Sequence, residues 1–232
     1  MFKAEADGLK ELRNPGVVRV PRVYDVGENE DGAFLALEWL DLDPDSREVS
    51  GILGRQLAGL HRCTSDRFGW FRGNTIGLTP QHNIPSDDWT EFYVEHRLKF
   101  QLDLAASYGS ELKSLGKRLL DRVPDILHGH SPGASLLHGD LWGGNWSCCE
   151  GEPVIFDPAV YYGDRETDIA MTRLFGGFDR NFYAAYQESW PLSEGHERRL
   201  PLYQLYHVLN HVNLFGSGYL GQAISLMREL LR

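Results

Sequence analysis

Leu136 to Trp146, LLHGDLWGGNW, and the VIFDPAVYYGDRETD stretch of Val154 to Asp168 constrain this chain more than any other part of it. Asp140 and Asn145 are separated by four residues. That D-x-x-x-x-N separation is the one at which a phosphoryl-transfer loop places its catalytic base and its metal-holding amide. Asp157 follows the apolar run Val154, Ile155, Phe156. A buried strand there is expected to deliver its carboxylate to the mouth of a cleft as a second metal ligand. Transfer of a γ-phosphoryl group is mostly positioning and charge neutralisation, which is why hard oxygen donors are the residue types required. In this reading Asp140 orients the acceptor hydroxyl and takes its proton. Gly139, Gly143 and Gly144 suit a loop that bends tightly and lets backbone approach a ligand. A plain Gly-rich turn accounts for H-G-D by itself, but not for its agreement with the amide and the later apolar run plus Asp.

The rest of the chain bounds this reading. With 232 residues, 42% of them hydrophobic, it can bury one large core or two smaller lobes. Its formal net charge of −10 argues against diffuse attraction to nucleic acid or anionic membrane. No apolar run approaches the roughly 18 residues of a membrane span, and the N-terminus lacks a signal-peptide pattern, so a cytoplasmic protein is expected. Cys63, Cys148 and Cys149 show no zinc-type spacing and are expected to be free thiols. The sequence carries no signal for an oligomeric state.

Along the chain, Phe2, Ala6, Leu9 and Leu12 recur at helical spacing until Asn14-Pro15-Gly16. Val17 to Val26 and Ala33 to Leu40 read as an antiparallel hairpin across a turn at Glu28 to Gly32, with Pro21 favouring an edge position. Asp41 to Ser46 reads as a linker. Ile52, Leu53, Leu57 and Leu60 form a helical stripe whose final His61 is expected to pack rather than to react. Phe68 to Asn83 has no period and is expected to be a long ordered loop. Asp87 or Asp88 is placed to cap a helix carrying Trp89, Phe92, Tyr93, His96 and Leu102, and another helix covers Glu111 to Leu127. Further helices run through Ile169 to Leu174, Leu202 to Val212 and Ile224 to Leu231. His207 and His211 stand four apart on a helix, but Val208 occupies the place of the H-E-x-x-H glutamate, so no zinc site is expected.

HGDLWGGN, FDPAVYYGDRETDIAM, LFGGF and LYHVLNHVNLFG resemble the fructosamine (ketosamine) kinase family, a branch of the aminoglycoside-phosphotransferase-like, protein-kinase-like fold. The similarity starts at MFKAEADGLKEL and continues through LEWL, LGRQLAGLHR, FGW and GNTIGLTPQHN to the C-terminal helices. The resemblance implies an α+β, two-lobe, protein-kinase-like fold, with a reduced N-terminal lobe at residues 1–40 and a mainly helical catalytic lobe at 41–232. It also implies ATP and Mg²⁺ as cofactors. The substrates would be ribulosamine or fructosamine adducts on protein amines, or small ketosamines, phosphorylated at a sugar hydroxyl. By the same resemblance Glu38, Trp39 and Leu40 form the hinge whose backbone holds adenine. Asp168 is expected to hold the catalytic loop by hydrogen bonds, although a helix N-terminal carboxylate favoured by the dipole explains it equally well from the sequence.

The resemblance further implies a Gly-rich loop over the phosphates and a strand lysine ahead of the first helix. Glu5 matches the helix glutamate that such a lysine would pair with, but Lys3 and Lys10 share its helix and no G-x-G-x-x-G occurs. The chain therefore reads as a family member without its first strands, and these residues alone are expected to have weak or undetectable activity and to be less stable than a version extended at the N-terminus. Two further readings stay open at this stage: a catalytically inactive binding protein, and an aminoglycoside- or choline-type small-molecule kinase that shares Asp140 and Asn145.

Overall fold

The N-terminal apolar stripe becomes α1 (Phe2–Arg13), which buries Ala4, Ala6, Leu9 and Leu12. The computed structural model describes residues 1–30, 32–43 and 49–232. In it α1 lies against the antiparallel hairpin of β1 (Val23–Asn29) and β2 (Gly32–Leu37). The expected hairpin is present, but its first strand begins at Val23 rather than Val17. Val17 to Arg22 bury Val18 and Val20 in the core, and their one isolated bridge is Arg19 to Val154. Partner supply explains the shift. β2 ends at Leu37, opposite Val23, and Pro21 has no N–H to offer a ladder. Glu38 to Leu40 thus lie just past the strand, with Glu38 N–H still donating to Arg22 O at 2.8 Å. Of the expected linker, Asp43 bridges to Cys148, while residues 44–46 lie outside the described residues.

The remaining elements follow in order. α2 (Ser50–His61) leads to the short strands β3 (Thr64–Ser65), β4 (Asn74–Ile76) and β5 (Thr79–Gln81). α3 (Trp89–Tyr93) continues through a π-helical turn at Val94–Lys99 into α4 (Phe100–Leu104), and α5 (Ser110–Ile126) follows. Next come β6 (Ala134–Leu137), β7 (Trp146–Cys149), β8 (Glu152–Ile155) and β9 (Tyr161–Gly163). The chain closes with α6 (Glu166–Leu174), α7 (Arg180–Ser189), α8 (His196–Phe215) and α9 (Leu220–Leu230). Asp88 is the cap of α3, accepting from Glu91 N–H at 2.7 Å. The segment Phe68 to Asn83, expected to be a loop, contains the β4–β5 hairpin, whose strands are too short to show alternation in the sequence.

β3, β6 and β9 form one sheet in that spatial order, and β7 pairs with β8 beside it. The catalytic stretch is the crossing from β6 to β7, and Asp157 follows β8 directly. Two paired strand ends therefore aim both motifs at one place. Helix α1 is fastened to this part of the fold through Asp7–Arg72 at 2.6 Å and through Tyr162 Oη–H donating to Glu11 at 2.7 Å.

Helix α7, which the sequence reading did not identify, starts at Asp179, whose side chain accepts from Asn181 and Phe182 N–H. It packs on α2 so closely that a Cβ at Gly54 would stand 2.3 Å from Phe182 O. Gly54→Ala is accordingly expected to destabilise the protein by about 1–3 kcal/mol, since backbone cannot yield as a flexible side chain does. Thermal unfolding should then show a midpoint lower by roughly 2–12 °C. An unchanged midpoint would mean that the helices are not in this contact.

Candidate active site

The loop after β6 is held from below by one buried carboxylate. Asp168, in the first turn of α6, accepts from His138 N–H at 2.8 Å and Gly139 N–H at 2.9 Å, and pairs with His61 Nε2 at 3.1 Å. His61 Nδ1 in turn meets Tyr186 Oη at 2.8 Å. His61 is therefore a packed link in this chain, as its place on an apolar face predicts. Burial by itself would raise the Asp168 pKa, but the His61 hydrogen bond and the Gly139 N–H hold it below its ordinary value.

Gly139 stands at φ +81, and a Cβ there would lie 2.1 Å from Ala159 O, so glycine is required both by the dihedral and by the close approach. His138 spans the two motifs. Asp140 N–H donates to its Nδ1 at 3.3 Å, which leaves Nε2–H to donate to Phe156 O at 3.0 Å. Burial keeps its pKa low, so the ring is neutral. The sequence reading missed this role, although the His of H-G-D was in view.

Asn145 completes the tie. Its Nδ2 donates to Asp140 O at 2.9 Å and to Asp157 O at 3.3 Å, while Phe156 N–H donates to Asn145 O at 3.1 Å. Both amide hydrogens are thus used for structure, and Oδ1 is left as a hard oxygen donor. Asp157 holds φ +56, a left-handed conformation uncommon outside glycine and found where a site imposes it.

Asp140 and Asp157 line one cavity of about 240 Å³, walled by Pro158, Ala159, Asn74, Thr75, Gly77 and Leu78 of the β4–β5 hairpin, and Glu5 from α1. Three carboxylates therefore share a small space that Met1 also lines, its amino group opposing the rise at Glu5. Burial, then the Asp157 and Asp168 charges, push the Asp140 pKa up to about 7. Burial followed by Asp157 also raises Glu5, which forms no ion pair among the described residues. No side chain donates to the Asp157 carboxylate among the described residues. Uncompensated acids next to a free amide oxygen are the donor set that suits a hard divalent cation, which would draw the raised pKa values back down.

The structure brings Asp140, Asn145 and Asp157 together; Glu38, Trp39 and Leu40 do not line this cavity. Glu38 accepts from Arg22 N–H and lies 3.8 Å from Arg19, and Trp39 is 86% exposed with its indole N–H on Asp41. Among the described residues His207 and His211 share no metal-like cluster. One grouping with such spacing, His130, Asp164 and Glu166, is satisfied internally by Tyr203, Ser193 and Arg199. The three cysteines are free. No described helix is long and apolar enough to cross a membrane.

Comparison with known proteins agrees over the full length. The family described as Fructosamine kinase matches residues 1–232. A Synechocystis protein named "Probable ketoamine kinase" is 44% identical over 234 residues, covering 100% of this chain and 79% of its own. The chloroplastic protein-ribulosamine 3-kinase of Oryza sativa subsp. indica is 44% identical over 238 residues, covering 100% of this chain and 69% of its own. The crystal structure of a Haemophilus somnus protein called "Putative fructosamine-3-kinase" superposes with a TM-score of 0.92 at 33% identity, covering 100% of this chain and 80% of that one. Aminoglycoside phosphotransferases at 13–16% identity, with TM-scores of 0.58–0.59, share the protein-kinase-like fold alone.

Proposed function

The chain belongs to the fructosamine kinase family, and from that premise we propose that it transfers the γ-phosphoryl group of ATP to a sugar hydroxyl of a ketosamine, a ribulosamine or fructosamine adduct on a protein amine or a small amine. The observation that carries this reading is the meeting of Asp140, Asp157 and Glu5 at one cavity beside the Asn145 clamp. Asp140 is the base. It accepts the proton of the attacking hydroxyl and holds that oxygen toward the phosphorus. Asn145 Oδ1 and the Asp157 carboxylate would hold Mg²⁺, which supplies charge neutralisation on the phosphates when bound. The left-handed backbone at Asp157 and the Asn145 bridge fix these donors before any nucleotide arrives, so little reorganisation is left for the reactive complex.

In this proposal Glu38 to Leu40 form the nucleotide hinge, the boundary between the lobes falls at residues 40 and 41, and the cell compartment is the reducing cytoplasm, where Cys63, Cys148 and Cys149 stay thiols. The direct test is ADP release from MgATP with lysine carrying ribulosamine or fructosamine, compared with unmodified lysine, with ³¹P NMR of the product to locate the phosphate. Turnover that needs the sugar adduct is expected. ADP release that is the same with and without it would sink the assignment.

Asp157→Ala is expected to weaken MgADP binding by roughly tenfold to a hundredfold, the scale on which losing support for a bound metal is felt. Asp140→Asn should weaken it far less, because Asp140 is not assigned as a ligand. Calorimetric titration of both variants, with and without Mg²⁺, decides the matter. Equal affinities would remove Asp157 from the metal site.

A further inference from the structure

His207 is buried on α8, with 3% of its surface exposed, and its Nδ1 has no hydrogen-bond partner. A buried ring nitrogen left unpaired is costly and calls for an explanation. The polar atom it faces is Asp140 Oδ1, 3.9 Å away. That carboxylate is itself free of hydrogen bonds from any side chain among the described residues, although the backbone around it is tied by His138 and Asn145. The base and an orphaned ring nitrogen thus confront each other across a gap slightly too long for a hydrogen bond.

We propose that His207 is a positioning residue for Asp140: in the reactive complex its Nδ1–H donates to Asp140 Oδ1, leaving Oδ2 for the acceptor hydroxyl. This rests on the kinase reading above and deepens it. A small rotation of the Asp140 side chain closes the gap, as catalytic hydrogen bonds in empty sites commonly tighten only when substrate is present. The His207 ring cannot follow a loose backbone. Tyr206 Oη–H donates to Gln81 Oε1 at 2.7 Å and Tyr203 Oη–H to Asp164 at 2.6 Å, and these bonds pin the turn of α8 that leads to His207. Burial depresses the His207 pKa to about 3, so the ring is a neutral donor and adds no charge beside the phosphates. An unguided carboxylate can turn either oxygen, or neither, toward the hydroxyl, and such misplacement is what lowers turnover without touching nucleotide affinity.

The test pairs two substitutions with one spectroscopic measurement. His207→Leu keeps much of the volume and removes the donor; His207→Asn places an amide N–H where Nδ1 stands. Leu should lower kcat with the ketosamine by about tenfold or more while the KM for MgATP is unchanged, and Asn should restore most of the loss. Equal losses in both variants, or full turnover in His207→Leu, would overturn the proposal, because either result describes packing alone. Should His207→Leu fail to fold, ¹⁵N NMR of the histidines in the unaltered chain still decides. The Nδ1–H tautomer is expected, with a shift that changes in Asp140→Asn; an Nε2–H tautomer would turn a lone pair toward the carboxylate and rule the contact out. If the unaltered chain phosphorylates no ketosamine, the function above fails, whereas the NMR result still reports on the His207–Asp140 contact.

Discussion

Asp140→Asn is expected to lower kcat by about 10²- to 10⁴-fold and to leave MgATP affinity nearly as it was, the range typical of losing a positioned general base. The two halves of that expectation have separate causes. Asparagine keeps the shape of aspartate, and the backbone bonds of residue 140 to His138 and Asn145 do not involve the carboxylate, so the loop should keep its form. What disappears is a proton acceptor directed at the cavity, an interaction made in the transition state and hardly at all with bound nucleotide. The substitution also removes one of three clustered acids, and with it the repulsion between Asp140 and Asp157 in the empty site. Steady-state kinetics with a ribulosamine substrate, run beside calorimetric titration of nucleotide, separate the two effects. A variant that keeps near-parental kcat would take Asp140 out of the chemistry.

The parts of this site that the sequence displayed are those whose geometry is local. The Asp140 to Asn145 spacing and the apolar run before Asp157 each fit within a single turn or strand, so the residues that meet are already near one another in the chain. The same holds for the α8 stripe of Leu202, Leu205, Leu209 and Val212, all of it buried, whereas in α9 the fully buried residues are Ala223 and Met227 and the leucines and Ile224 are only partly covered. Features that depend on distant partners were not legible. Val17 to Arg22 have strand-like composition, but β2 stops at Leu37, and only Arg19 finds a bridge, far away at Val154. The β4–β5 hairpin, which walls the cavity, has three residues in each strand and so shows no period. The aromatic segment forming α7 hides its apolar face behind polar neighbours, and its one clear signal is the Asp179 cap. In the sequence His207 stands out only for its four-residue spacing from His211. Its relation to Asp140 becomes visible only when α8 crosses the loop after β6.

Asp168→Asn is expected to cost stability and turnover together, for reasons that lie in one buried atom group. The carboxylate accepts from two backbone N–H groups of the catalytic loop and from His61, and it is almost wholly buried. Asparagine offers one oxygen and one NH₂, so at least one donor of this cluster must face another donor without water to relieve it. Leaving buried partners of a charged group unsatisfied costs about 3–5 kcal/mol. For a chain of this length that corresponds to a fall in melting midpoint of roughly 6–20 °C. The pH dependence has a definite sign. Because folding depresses the Asp168 pKa, its ionised form stabilises the protein at all pH values above the unfolded value of about 3.9. That contribution fades only as pH falls below this value through the folded pKa. The difference in stability between the two proteins should thus be full at neutral pH and shrink in acid. Turnover should fall too, since His138 and Gly139 carry Asp140 and lose their tether, and a displacement of about 1 Å is enough to cost a hundredfold in rate. Thermal and acid unfolding of both proteins, with kcat measured well below the lower midpoint, distinguishes the tether from general destabilisation. A variant as stable as its parent at neutral pH would show that the loop is held by other bonds, and one that is less stable yet fully active would show that Asp168 supports the fold without positioning the base.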